Sequence, residues 1–169
     1  MSLSPRLEIA IRHIEGVRAY THTLLDGLED SDWFWMPDAS ITHIAWQVGH
    51  IAMAEYGLLL FRQRGRLEID SELMSGKFRK RFMKGIEPEA DRSRYPEPTE
   101  ILEVLDRVHQ QALSELPGFD GDGLDEPLDP PHIAFSHRFG FILFAGDHEM
   151  LHCGQIGLLR RLMGKSPVR

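Results

Sequence analysis

The stretch FGFILFAGDHEMLHCGQIGLLRRLMG, Phe139 to Gly164, decides the fold. Its apolar residues return at helical rather than strand spacing, Gly164 suits a C-terminal stop, and Pro167 cannot extend the turn. The spacing predicts a helix from Phe139 to Met163. On that helix His148 and His152 are four apart, so the two imidazoles stand one above the other on one face. Phe144, Leu151, Ile156 and Leu159 flank them and mark the face as partly buried. A lone histidine there reads first as an imidazole with an ordinary hydrogen-bond partner. A pair at this spacing can bind one ion while the helix fixes the relative orientation of the rings.

Working outward, three further segments carry the same period, and none shows a convincing strand alternation. The first runs from about Pro5 to Leu28, with Ser4 as its cap, Pro5 at its first position and Leu7, Ile11, Ile14, Thr21, Leu25 and Leu28 along one face. The second starts near Ser40 and continues to about Arg64, with Ile41, Ile44, Val48, Ala52 and Leu59 as its stripe. The third begins near Pro98 and carries Ile101, Leu105, Val108, Ala112 and Leu116 before Pro117 and Gly118.

Four long helices in 169 residues predict an all-α chain, one four-helix-bundle domain over residues 1–169. The short link from Asp30 to Ala39 makes the first two helices antiparallel neighbours. The link from Gly65 to Glu97 is long enough to cross the second helix, which spans roughly 37 Å at 1.5 Å per residue. Long links of this kind are usually functional or partly structured, and a short helix is expected within Ser71 to Met83. An up-down-down-up order is therefore permitted beside an up-down-up-down one. Gly121 to Pro131, rich in Asp, Gly and Pro, reads as a surface loop.

HEMLH, residues 148 to 152, also fits the H-E-x-x-H pattern of zinc proteases, where the glutamate is the general base. Those enzymes take a third ligand from beyond the motif. Here CGQIGLLRRLMGKSPVR follows, with no histidine or carboxylate side chain, and Gln155 stands where the extended pattern requires glycine. A third ligand is therefore sought upstream, in ITHIAWQVGHIAMAEYGLLL. His50 is preferred for its mid-helix depth, with His43 as its rival in the first turn, nearer solvent. Glu149 is weighed as a base beside the site against a solvent-facing helix residue, and the latter is favoured. Gln155 is a candidate hydrogen-bonding partner within the site. Cys153, about 100° round the helix from His152, reads as a small buried packing residue. Trp46 and Tyr56, like the cluster Trp33 to Met36, read as core before they read as pocket wall. His13, His22 and His109 have no spacing argument, while His132 and His137 are candidates for lining an entrance.

Composition excludes several function classes. Hydrophobic residues at 42% and charged residues at 27% describe an ordinary globular protein, and a net charge of -7 opposes attraction to nucleic acid or anionic membranes. The basic run KFRKRFMK, Lys77 to Lys84, reads as an amphipathic turn that docks Phe78 and Phe82 rather than as a nucleic-acid contact. No apolar stretch approaches the roughly 20 residues of a membrane span. The opening MSLSPRLEIA lacks the pattern of a secretion signal, and a single cysteine suits a reducing compartment. The expectation is a soluble, cytoplasmic protein.

Two motifs together resemble the DinB-like family: W-x-x-x-H from Trp46 to His50, and H-x-x-x-H-x-G-Q-I-x-x-L-R-R-x-x-G from His148 to Gly164. The likeness covers nearly the whole chain and is weakest over Arg66 to Tyr95. It implies an up-down-down-up bundle, homodimers, and a three-histidine metal site whose ligands fall on His50, His148 and His152. Many members have arginine where this chain has Cys153, a departure that changes a neighbouring contact. Three neutral imidazoles suit zinc, nickel, iron(II) or copper and leave a position open for water or substrate. Characterised relatives include enzymes that use a low-molecular-weight thiol, so the resemblance implies a metal-dependent S-transferase acting on a small thiol substrate. A non-catalytic metal-binding or interaction bundle is the alternative, and a metal-dependent hydrolase a weaker one.

Overall fold

The computed structural model describes residues 3–38, 41–119, 121–132 and 134–168. Among these the structure is helical, with one isolated β-bridge between Pro127 and His137 and no strand. Helix α1 spans Pro5–Leu25, α2 Asp30–Trp33 and α3 Ile44–Glu55. The chain continues from α3 through a π-helical segment, Tyr56–Phe61, into α4, Arg62–Arg64. Two short helices, α5 at Asp70–Leu73 and α6 at Gly76–Arg81, occupy the long link. The last two long helices are α7, Pro98–Glu115, and α8, Phe139–Leu162. No helix among the described residues is long and apolar enough to cross a membrane.

Boundaries move for local reasons. Helix α1 stops at Leu25, before the predicted Leu28, because Gly27 turns the chain at a φ of +68°. Ala39 and Ser40, the expected end of the first link and start of the second helix, lie outside the described residues. The helix itself starts at Ile44, where the His43 side chain caps it by accepting from the Trp46 amide. Ile41, read as part of the stripe, is exposed. The third helix follows the expected stripe: Ile101, Leu105, Val108, Ala112 and Leu116 are all fully buried, and one 3-10 turn, Leu116–Phe119, carries the chain past Pro117.

The long helices pack pairwise around one core that includes Leu7, Ile14, Leu24, Ile44, Ile51 and Leu105. Helix α8 lies against α1 and α3, and α3 lies against α7. Contacts between α1 and α8 advance together along both chains: Arg6 lies over Phe139, His13 reaches Asp147, and Arg160 donates to the Leu24 carbonyl. Those between α3 and α8 run in opposite senses, from Gln47 with Gln155 to Arg62 over Phe141. From α3 onward to α7 they again advance together, with Glu55 on His109 and Arg64 on Glu115. The crossover from 65 to 97 returns the chain so that α7 can run alongside α3. On the way α6 docks Phe78 into the core and the residue that ends it, Phe82, follows, their rings 4.6 Å apart, while Lys77 and Lys80 stay in solvent.

Candidate metal centre

His50 from the middle of α3 meets His148 and His152 from α8, and one ring nitrogen of each lies within 4.8 Å of the others. His148 and His152 face each other through their Nε2 atoms at 3.3 Å. His50 sits 5.3 Å from the His148 ring and 5.0 Å from the His152 ring, centroid to centroid. Trp46, one turn before His50, stacks on it nearly parallel at 4.8 Å.

The other faces of two of the rings, His50 and His152, determine their tautomers. A backbone carbonyl can only accept, so His50 Nδ1–H donates to Phe82 O at 2.7 Å and its Nε2 is left with a lone pair. His152 Nδ1–H donates to Gln47 Oε1, while Gln47 Nε2 donates to Gln155 Oε1 at 2.8 Å. The amide of Gln47 is thereby oriented with its oxygen towards the ring. Hydrogen bonds of this kind, from the non-ligating nitrogen to an amide or carbonyl oxygen, are what hold histidines at metal sites. Burial disfavours the imidazolium form throughout. It pushes His152 down to about 3 and His148 to about 4, with the neighbouring imidazoles adding to the effect, and it lowers His50 as well. Three neutral rings, two of them with the Nε2 lone pair turned inward by an Nδ1–H bond, match the neutral imidazole that a divalent ion requires. Two nitrogens each about 2.0–2.1 Å from one tetrahedral zinc stand roughly 3.3–3.4 Å apart, the separation seen between His148 and His152. The donor set fits a borderline metal ion.

His43, the rival candidate, stands outside the three-histidine group, and not where the sequence places it. It is completely buried rather than near solvent, and burial holds its pKa down to about 4. Its Nδ1 is committed to capping α3, and its ring meets Tyr95 edge-on at 4.6 Å. Glu149 corrects the solvent-facing reading: it is 3% exposed and turned away from the histidines. There it accepts from Arg18 Nε at 2.9 Å and Arg18 Nη2 at 3.0 Å, and from Thr21. Cys153 is buried as expected, beside Thr21 Oγ1 at 3.1 Å, and burial raises its thiol pKa. Leu151, read as part of the buried face, is 63% exposed. Tyr56 is core, its hydroxyl on Asp70. His132 stacks on Phe135, and both rings approach Phe144, which neighbours His148.

Two contributors escaped the sequence reading. Gln47 carried a signal, since it is a polar residue in the apolar face of the helix that bears His50. The Phe82 carbonyl carried none, because a backbone acceptor leaves no mark on residue type.

A helical protein with a neutral three-imidazole cluster, two of its rings buried and the third partly so, is suited to binding metal. The DinB superfamily profile matches residues 13–156, which include all three histidines. The chain belongs to the DinB superfamily. No curated protein matches it.

Proposed function

We propose that the protein is a metal-dependent enzyme that holds one divalent ion, zinc, nickel or iron, on His50, His148 and His152. The observation that carries this reading is the pairing of convergent ring nitrogens with outward Nδ1–H groups held by Phe82 O and Gln47. A cluster that served only packing would not need two of its rings locked in the tautomer that faces lone pairs inward. The ion would supply Lewis acidity to an incoming ligand, including a thiol. The chain's own residues would hold the rings neutral, orient them and keep water from their backs.

The substrate class we favour is a small thiol, and the reaction an S-transfer. Superfamily membership supports it. We further read α1, α3, α7 and α8 as one up-down-down-up bundle in a single domain, supported by the parallel registers of α1 with α8 and of α3 with α7. A homodimer in a reducing, cytoplasmic setting completes the reading; the single free cysteine suits that compartment.

Elemental analysis of protein purified without chelators or metal-affinity resin tests the centre. About one equivalent of metal is expected in the wild type, and His50→Ala and His152→Ala should each lose it while circular dichroism keeps its helical signature. Wild-type protein with no stoichiometric metal would overturn the reading. A screen of low-molecular-weight thiols against electrophiles then separates an enzyme from a binder.

A further inference from the structure

A cavity of about 730 Å³ lies away from the histidine cluster, and none of the three histidines lines it. It lies between α6 and the segment that leads from Ile86 to the start of α7. Its volume is within the range of roughly 300–1,000 Å³ common for small-molecule sites. The buried rings of Phe78 and Tyr95, with Pro96 and Ile86, give it an apolar lining, and Lys77, Lys80, Arg81 and Arg94 bring cationic groups to the same space. Its carboxylates are mostly spoken for. Glu89 pairs with Arg81 at 2.6 Å and lies 3.7 Å from Arg94, and Glu97 pairs with Arg92 at 2.6 Å. Among the described residues no carboxylate pairs with Lys77 or Lys80. Their ammonium groups are therefore free for a ligand.

The wall is also held in shape before any ligand arrives. The Arg81 guanidinium lies over the Tyr95 ring at 5.0 Å, and the Tyr95 hydroxyl accepts from the Glu89 amide at 2.8 Å. From these features we infer that this cavity is a second binding site, for a small organic anion: a carboxylate or phosphate carried on an aromatic or apolar body. The anion would meet Lys77 and Lys80 through charge-assisted hydrogen bonds, and the body would lie on Phe78 and Tyr95. A concave site of this size in a chain of net charge -7 favours a small molecule over a polyanion. The same basic run that reads as a solvated helix face in the sequence is, in the fold, one side of a pocket.

Calorimetric titration with four probes tests the assignment: phenyl phosphate, benzoate, inorganic phosphate and benzyl alcohol. At least one aromatic anion should bind more tightly than both inorganic phosphate and the neutral alcohol, and the stronger of the two identifies the headgroup. The double variant Lys77→Glu, Lys80→Glu should weaken that binding by about tenfold or more, with its melting temperature and circular dichroism unchanged because both side chains are exposed. Glu100→Gln, which removes a carboxylate from the rim, should tighten it. Absence of binding by every probe up to about 10 mM overturns the proposal. So does benzyl alcohol binding as well as the anions, or wild-type affinity in the double variant. The titration reads binding directly, so its outcome is independent of what the histidines hold.

Discussion

Gln47 shows how one side chain can set the chemistry of another. It is 1% exposed, on the same helix as His50, yet its contact is with His152 on α8. Gln47→Leu keeps the volume and removes the acceptor, so His152 loses its fixed tautomer. Metal affinity should fall about 10- to 100-fold, read by competition with a chromogenic chelator, while the fold persists. His43 offers a pH-dependent counterpart away from the cluster. Its pKa is depressed by burial to about 4 against about 6.5 in the unfolded chain, so between those values the unfolded state binds the extra proton. The stability it contributes is whole above pH 6.5 and is lost as pH falls towards 4, by about 3 kcal/mol if the full shift is realised. Its Nε2 is buried without a hydrogen-bond partner, which leaves a protonated ring poorly compensated. His43→Asn retains a cap for α3 and removes the titration. Its urea midpoint should therefore change less than the wild type's between pH 7 and pH 4.5.

At the scale of elements, the meeting of α3 with the segment after α6 decides whether His50 is held. Gly49 makes that contact possible: a Cβ there would stand 2.4 Å from the Phe82 ring. Phe82 is fully buried and its carbonyl holds His50, so the ring cannot withdraw without moving the acceptor. Gly49→Ala should cost about 1–3 kcal/mol in urea denaturation and lower the metal content of the folded protein. Helix α8 shows a complementary economy. His148 and His152 face the cluster, while Glu149 and Cys153, the next i, i+4 pair, are turned by about 100° towards α1. The pattern HEMLH thus serves two interiors at once. A pattern match to its glutamate misleads because the helix phase, not the motif, directs each side chain.

Across the whole molecule, Arg18 ties four helices together. From α1 it reaches Glu55 on the α3 side at 2.8 Å, Glu149 on α8, and the Leu105 carbonyl of α7 at 3.0 Å. Glu55 also accepts from His109 at 2.7 Å. Burial alone would drive the guanidinium towards its neutral form, but Glu55 and Glu149 outweigh it and raise its pKa. Burial likewise opposes charge on Glu55, yet Arg18 and His109 hold its pKa below the usual carboxylate value. Arg18→Met leaves two carboxylates buried without their cation and should destabilise the protein by about 3–5 kcal/mol at pH 7. The deficit relative to wild type should shrink at pH 5, because Glu55, whose pKa Arg18 holds down, accepts a proton more readily once that cation is gone; urea midpoints at the two pH values measure it.

Residue pattern alone determined the four long helices and most of their buried faces, Ile41 and Leu151 excepted, the facing of His148 and His152, and the burial of Cys153, Phe78 and Phe82. Each follows from helical periodicity, which is local and written in residue type. The choice of His50 over His43 drew on family resemblance, and its physical ground is tertiary: the phase of α3 aims one ring at α8 and leaves the other to cap the helix. Only the packed fold could bring in Gln47, the Phe82 carbonyl and the burial of Glu149. Those depend on which helix faces which, and on backbone atoms that every residue shares.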